Sequence, residues 1–395
     1  MKLRTHRKLP KEIITTEGKI TYERYVLRPD GAESVARLKE LTNRSTIVPL
    51  DIVLGISGLP FKITGMMMLE ICYWAAKAGS YQAAEEFISR ARGVNLSDDT
   101  IRKVVNYVGG IVFEEDCKYA RESAAALERG KSPCSYNKEG VLYLQTDGAA
   151  LNTRTKDQND STWRENKLGL AFSSDHIYKW KNSRGETQHR IQEREYISYI
   201  GQVQEFKYHL YALALRAGYG TYKNTVLISD GAAWIRGLKD ELFPDAQQIL
   251  DLFHLKENTY SFAKEIFCND KAKYEPWAED ICSRLEEGKW KGVLKDLEKY
   301  KSMPSKQGSV NLYTYISNNK DNIDYPKYRE KGYFVGSGAI ESGNKVVLQS
   351  RLKLPGMRWN VETGQCMVSL KAKLESKKWE SDVVPLVMNK IKAHL

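Results

Sequence analysis

Polar and apolar positions change rhythm several times along this chain. Ile13-Ile14-Thr15-Thr16-Glu17-Gly18-Lys19-Ile20-Thr21-Tyr22 places two β-prone runs around a Glu-Gly turn. The pattern predicts a hairpin that continues through Tyr25-Val26-Leu27 to the break at Arg28-Pro29-Asp30-Gly31. From about residue 32 to 131 the apolar positions recur at helical spacing. Residues 130–139 are polar and contain Pro133, the composition of a linker. Strand-like runs follow at 141–147, 168–173 and 195–200, then a helical run at 205–217. A strand at 225–229, a short helix near 232–240 and a strand at about 247–253 complete the series. Three strands, a helix, a strand, a helix and a strand is the order that an RNase H-like mixed α/β sheet requires. The stretch from 255 to about 316 is helical and charged, in runs at 255–267, 276–287, 290–301 and 312–316. Only one more crossover would be needed between Asp230 and Glu341, yet 111 residues separate them. The excess predicts a helical insertion at about 255–332. The expected organisation is a β-hairpin region at 1–47, a helical region at 48–134 and the sheet domain at 135–395.

Two of the strand-like runs end in the same four residues. Val141-Leu142-Tyr143-Leu144-Gln145-Thr146 leads into Asp147-Gly148-Ala149-Ala150, and Thr225-Val226-Leu227-Ile228-Ser229 leads into Asp230-Gly231-Ala232-Ala233. An Asp at a strand end presents a short, stiff carboxylate, and small residues after it allow a polyanion backbone to approach. Asp-Gly is also a common turn dipeptide. Two matched units in order, with Glu341 downstream in Gly336-Ser337-Gly338-Ala339-Ile340-Glu341, favour the ligand reading. Three carboxylates from separate elements suffice for two Mg2+ ions, with Mn2+ as a substitute, because magnesium keeps waters and substrate oxygens in its shell. Paired divalent cations stabilise both the attacking and the leaving oxygen of a phosphodiester. Asp147, Asp230 and Glu341 are therefore the expected catalytic and metal-binding residues. A helix over 340–352 would put Asn344, Lys345 and Leu348 on the face of Glu341, with Asn344 and Lys345 placed for DNA phosphates. Asp251 and His254, three apart after a core strand, read as supporting residues, or His254 as a structural cap of the next helix.

Composition agrees with a polyanionic partner. Lys plus Arg number 61 against 50 Asp plus Glu, a net charge of +11. The basic, aromatic segment Arg351-Leu352-Lys353-Leu354-Pro355-Gly356-Met357-Arg358-Trp359 offers phosphate contacts from Arg351, Lys353 and Arg358 and base stacking from Trp359. It reads equally as a helix with a Pro-Gly stop. Helical runs at 81–92 and 97–108, joined by Gly93-Val94-Asn95-Leu96 and capped by Ser97, look like a helix-turn-helix with Arg102, Lys103 and Asn106 outward. Any helical hairpin shares that pattern. Cys72, Cys117, Cys134, Cys268, Cys282 and Cys366 are scattered with no C-x-x-C pair, which argues against a zinc site and for buried thiols in a reducing compartment. The most apolar stretch, 47–76, is interrupted by Asp51, Lys62 and Glu70, so no membrane span is expected. The N-terminus lacks an apolar signal segment, and a cytoplasmic protein is expected.

These motifs resemble an ISLre-type bacterial insertion-sequence transposase, within the Mutator-like DDE group. The resemblance rests on 143–148, 227–232, Asp251-Leu252-Phe253-His254-Leu255, 336–341, the 355–359 tail and Ser80-Tyr81-Gln82-Ala83-Ala84. It implies a retroviral-integrase-like catalytic fold interrupted by a helical insertion, with Asp147, Asp230 and Glu341 as the triad and Asp251 and His254 as a D-x-x-H element beside it. It implies hydrolysis at the element's terminal inverted repeats, then strand transfer of the exposed 3′-hydroxyl into target DNA. A homodimer or larger synaptic complex would hold both ends. Members of that family usually carry a longer segment ahead of the hairpin, so the resemblance leads to the expectation of an N-terminally shortened copy. A nuclease without strand transfer and a transposon-derived DNA-binding regulator are the alternatives.

Overall fold

The computed structural model describes residues 2–130, 135–157, 160–304 and 309–393. Residues 131–134, the centre of the expected linker and with them Cys134, lie outside the described residues. The chain divides into two units: Met1–Cys117 with Asn152–Thr162 and Gln349–Leu395, and Lys118–Leu151 with Trp163–Leu348.

The first unit opens with the hairpin, β1 (Leu3–Thr15) and β2 (Gly18–Pro29), paired antiparallel from Leu3↔Pro29 to Thr15↔Gly18. Gly18 adopts φ +103°, which the tight turn after Glu17 requires. Helices α1 (Ala32–Thr42), α2 (Pro49–Val53), α3 (Gly65–Lys77), α4 (Tyr81–Arg92) and α5 (Asp98–Glu128) follow. Buried Asp51 on α2 receives Lys11 and Tyr22 at 2.9 and 2.8 Å and also Arg24, tying the hairpin to α2. The expected pair of short helices is half right. Ser80 caps α4 through the Ala83 N–H, and Ser97 accepts the Thr100 N–H at the start of α5. Ala84, Ile88, Leu96, Ile101, Val104 and Val105 are buried as their spacing predicts, whereas Phe87 and Ala91 are exposed. The second helix does not stop near residue 108. It runs for 31 residues, because apolar positions continue at helical spacing through Val108, Ile111, Val112 and Ala120. Its residues to Cys117 belong to the first unit and the rest to the second.

The second unit contains a five-stranded mixed sheet. Its strands are β3 (Lys138–Asn152), β4 (Trp163–Ser173), β7 (Glu195–Ile200), β8 (Tyr222–Ser229) and β9 (Gln247–Leu250), in the order β7-β4-β3-β8-β9. A separate hairpin, β5 (Ile177–Lys181) and β6 (Thr187–Ile191), sits between β4 and β7 in the chain. Helices α6 (Val203–Arg216) and α7 (Ala233–Leu242) connect the later strands. β3, β8 and β9 are mutually parallel, and β4 pairs with β7 antiparallel. Leu142, Leu144, Leu227, Phe206, Leu210 and Leu213 are fully buried in the core beneath the sheet. The last strand ends at Leu250 rather than at 253. Asp251 takes the N–H groups of Phe253 and His254, and so starts a helix where the apolar run alone would extend the strand.

That helix is α8 (Leu252–Ile266), followed by α9 (Lys271–Glu286), α10 (Trp290–Leu297), α11 (Leu312–Asn319) and α12 (Tyr325–Glu330), the helical insertion expected from the spacing. The expected helix over 340–352 is three pieces: α13 (Gly338–Asn344), a π-helical turn (Lys345–Gln349) and α14 (Ser350–Leu352). α15 (Val361–Glu375), a second π turn (Trp379–Val383) and α16 (Val384–Ala393) return to the first unit. α15 is central there, and residues 367–374 are all buried. Its buried Lys373 is paired with Asp116 at 2.8 Å. Cys72 and Cys282 are buried, Cys117 and Cys366 half-buried, and Cys268 exposed, so the thiols are not uniformly interior. Among the described residues no helix is long and apolar enough to cross a membrane.

Candidate active site

Strand register brings the acids together. Gln145 pairs with Ile228 and Ser229 with Leu250 across the parallel strands β3, β8 and β9. Asp147, Asp230 and Asp251 follow these positions at equal or near-equal register. Three neighbouring strands thus deliver carboxylates at the same end of the sheet, where parallel α/β sheets place their ligands.

The two Asp-Gly-Ala-Ala segments have different backbones. β3 continues through Asp147 to Asn152. There the Gly148 N–H bonds Asp147 Oδ1 at 2.7 Å. β8 stops before Asp230, and Gly231 turns with φ +84°. Asp230 Oδ1 accepts the Ala232 N–H at 2.9 Å, and its carbonyl accepts the Tyr315 hydroxyl at 2.6 Å.

Glu341 comes from α13, whose start is fixed from β3. Gln145 Oε1 accepts the Ile340 N–H at 2.9 Å, and its Nε2 reaches the Gly336 carbonyl at 3.4 Å. One turn beyond Glu341, buried Asn344 donates to Asp147 Oδ2 at 2.6 Å. The Ser337 hydroxyl lies 3.0 Å from Asp251 Oδ2 and 3.1 Å from Glu341 Oε1, and its single proton serves one of them at a time. Gln145 and Ser337 were not foreseen as site residues. The signal for Gln145 was a polar residue inside an apolar strand run.

Asp251 and His254 form the buried side of the cluster. Burial alone would raise the Asp251 carboxyl. The His254 ring, the His254 and Ser337 N–H groups and the Ser337 hydroxyl outweigh it and hold Asp251 below its ordinary range. His254 Nδ1 lies 2.5 Å from Asp251 Oδ2. The bond to Asp251 raises the imidazole to about 9, against the opposing effect of burial, with further support from Asp230 and Glu341. Asp147 moves the other way from Asp251. Burial first, and then the nearby Asp230 charge, raise its carboxyl, partly offset by Gly148, Asn344 and His254. The titration of His254 thus senses Asp251, Asp230 and Glu341, and that of Asp147 senses Asp230 and His254.

Among the described residues, the group whose ligand atoms lie within 4.8 Å of one another is Asp251, His254 and Glu341. That trio can hold a metal ion by spacing. Its chemistry is less open, because both Asp251 oxygens already accept bonds from Phe253, His254 and Ser337. Asp251 is better described as the anchor of His254 and Ser337. Asp147, Asp230 and Glu341 do not close to single-ion spacing. Ligands on opposite sides of an ion pair need not, since the metals themselves stand about 3.5–4 Å apart.

The residues expected to touch DNA are dispersed. Asn344 is buried on Asp147, so it braces an acid and is withdrawn from any phosphate. Lys345 and Lys353 are exposed. Arg102 and Lys103 are held on Asp99, at 2.5 and 2.8 Å. Asn106 points inward with its side-chain oxygen buried, and its carbonyl accepts from Cys366 on α15. Arg358 is exposed, but Arg351 and Trp359 are 1% and 6% exposed. Trp359 therefore presents no face to a base; its ring packs on the Arg351 guanidinium. No protein-family model matches the chain, and no curated protein matches its sequence.

Proposed function

We propose that this chain is a DNA transposase of the ISLre type, a cytoplasmic protein with an RNase H-like catalytic sheet. The observation that carries the reading is the convergence of Asp147, Asp230 and Glu341, from β3, β8 and α13, at one end of a sheet ordered β7-β4-β3-β8-β9. The donor set is all carboxylate oxygen, which suits hard divalent cations. Burial and the Asp230 charge disfavour ionised Asp147, and a cation held there would offset both. Mg2+ held by Asp147, Asp230 and Glu341, with Mn2+ as substitute, would supply charge stabilisation at the attacking and leaving oxygens of a phosphodiester.

The chain's own residues do the rest. Asn344 and the Gly148 N–H orient Asp147, Gln145 sets the entry of α13, and Ser337 links Glu341 to Asp251. His254 keeps a positive charge beside the acids. The reaction is cleavage at an element end to expose a 3′-hydroxyl, then its transfer into target DNA by a homodimer or larger complex. The test uses DNA bearing the inverted repeats that flank the gene, with Mg2+. Wild type should nick the end and join a pre-cut 3′-hydroxyl end to a second duplex. Nicking without joining would leave a nuclease. Binding without nicking would leave a DNA-binding regulator, and full activity of Asp147→Asn would remove the triad.

A further inference from the structure

In the first unit, a cleft of about 710 Å³ collects arginines from distant parts of the chain. Its lining includes Tyr81 at the start of α4, Arg102 on α5, Arg154, and Arg351, Arg358 and Trp359 around the 353–360 loop. Arg154 is joined to this wall through its own N–H, which bonds the Trp359 carbonyl at 2.9 Å. Four guanidiniums in the lining face two carboxylates, Asp98 and Asp99. Asp99 is already committed to Arg102 and Lys103. The cleft keeps an uncompensated positive charge.

Arg351 makes the cleft more than a basic surface patch. It is 1% exposed. Its Nε donates to the Ala75 carbonyl at 3.0 Å. Its guanidinium lies 4.5 Å from the Tyr81 ring centre and 5.0 Å from that of Trp359. No carboxylate among the described residues pairs with it, and its Nη2 has no hydrogen-bond partner. Burial draws its affinity for the proton below the ordinary arginine range. Two further polar atoms of the same wall, Tyr81 Oη and Trp359 Nε1, are also buried without partners. A buried cation without a counter-ion is costly, and ring faces recover only part of that cost. The guanidiniums and the indole offer donors alone, so the complementary ligand is an acceptor-rich anion.

We propose that this cleft is a phosphate-binding site, in which exposed Arg154 and Arg358 grip the phosphate group and Arg351, fixed between Tyr81 and Trp359, supplies a permanent positive charge behind them. In low-dielectric surroundings that charge acts on the ligand with little screening. The chemistry fits a phosphate of a nucleic-acid backbone and a free nucleotide alike. The site does not depend on the transposase reading, because phosphate binding needs no cleavage.

The experiment titrates the full-length protein with inorganic phosphate by calorimetry, against chloride at matched ionic strength. One phosphate per chain is expected, and Arg154→Ala and Arg358→Ala should each weaken it by about tenfold or more. Both positions are exposed, and unchanged melting temperatures will confirm that folding is spared. Arg154→Lys should recover only part of the affinity, since lysine lacks the planar fork. Equal heats from phosphate and chloride, or both alanine variants titrating like wild type, would overturn the site. A mononucleotide and a random DNA duplex then separate the sources. For a backbone phosphate, the double variant lowers the salt slope of duplex binding by about two. For a free nucleotide, it loses mononucleotide binding and keeps the slope.

Discussion

The acidic end of the sheet and the arginine cleft gather charge by different routes. Asp147, Asp230 and Asp251 follow the last paired positions of neighbouring parallel strands, so register alone makes them neighbours. Only Glu341 has to be carried in from afar, and Gln145 and Asn344 hold its helix to β3. In the cleft, Arg102, Arg154, Arg351 and Arg358 come from separate segments, and no repeating pattern joins them. The balance of charge differs as well. The acids keep one cation, His254, in bonding contact through Asp251, whereas Arg351 has ring faces and a backbone carbonyl. The lesson is that a site assembled by strand register leaves a local signature, and a site assembled by packing does not.

The contrast can be tested hardest at the acids. Asp147→Asn should reduce Mg2+-dependent strand cleavage by about 10³-fold or more, while the melting temperature holds or rises, because a buried carboxylate beside Asp230 is neutralised. A large loss of stability instead would make Asp147 a structural acid. Gln145→Leu comes next. It strands the Ile340 N–H in a buried place, which costs about 1–3 kcal/mol, and cleavage should fall further than stability alone explains as Glu341 loosens. Cleavage unchanged at full folding would mean that Gln145 does not position the acid.

The packing-built unit has its own probe. A Cβ at Gly109 would meet the Cβ and carbonyl of Cys366 at 2.7 Å, whereas one at Gly110 would meet nothing within 4 Å. Gly109→Ala should therefore destabilise the protein by about 1–3 kcal/mol through overpacking of α5 on α15. Gly110→Ala should be neutral or stabilising by up to about 1 kcal/mol, from helix propensity. Denaturant melts of the pair decide it, and equal effects would contradict the close approach.

The smallest effect is in pH. His254 titrates at about 9 in the folded protein against an ordinary 6.5. A raised folded value means stabilisation that is complete below about pH 6.5 and is lost as pH rises through about 9. Asp251, held below its ordinary range, contributes above the usual carboxylate pKa and loses its contribution as pH falls. The melting-temperature gap between wild type and His254→Ala should be widest just below about pH 6.5, shrink as pH rises through neutrality, and be smallest above about pH 9. A gap independent of pH would show that packing, not the ion pair, sets the role of His254.

Alternation and helical spacing along the chain foretold the hairpin, the order of strands and helices in the five-stranded sheet and the helical run after it, because these depend on which residues neighbour each other locally. Identical Asp-Gly-Ala-Ala segments nonetheless took two backbones: β3 runs on past Asp147, and Gly231 turns the chain after Asp230. Likewise, only side-chain bonding to Asp251 decided that β9 stops at Leu250. Packing between segments far apart in the chain decided that Asn344 braces Asp147, that Trp359 is buried on Arg351, and that Arg154 joins the cleft. Those outcomes depend on what each side chain meets across the fold, and spacing along a single segment carries no record of it.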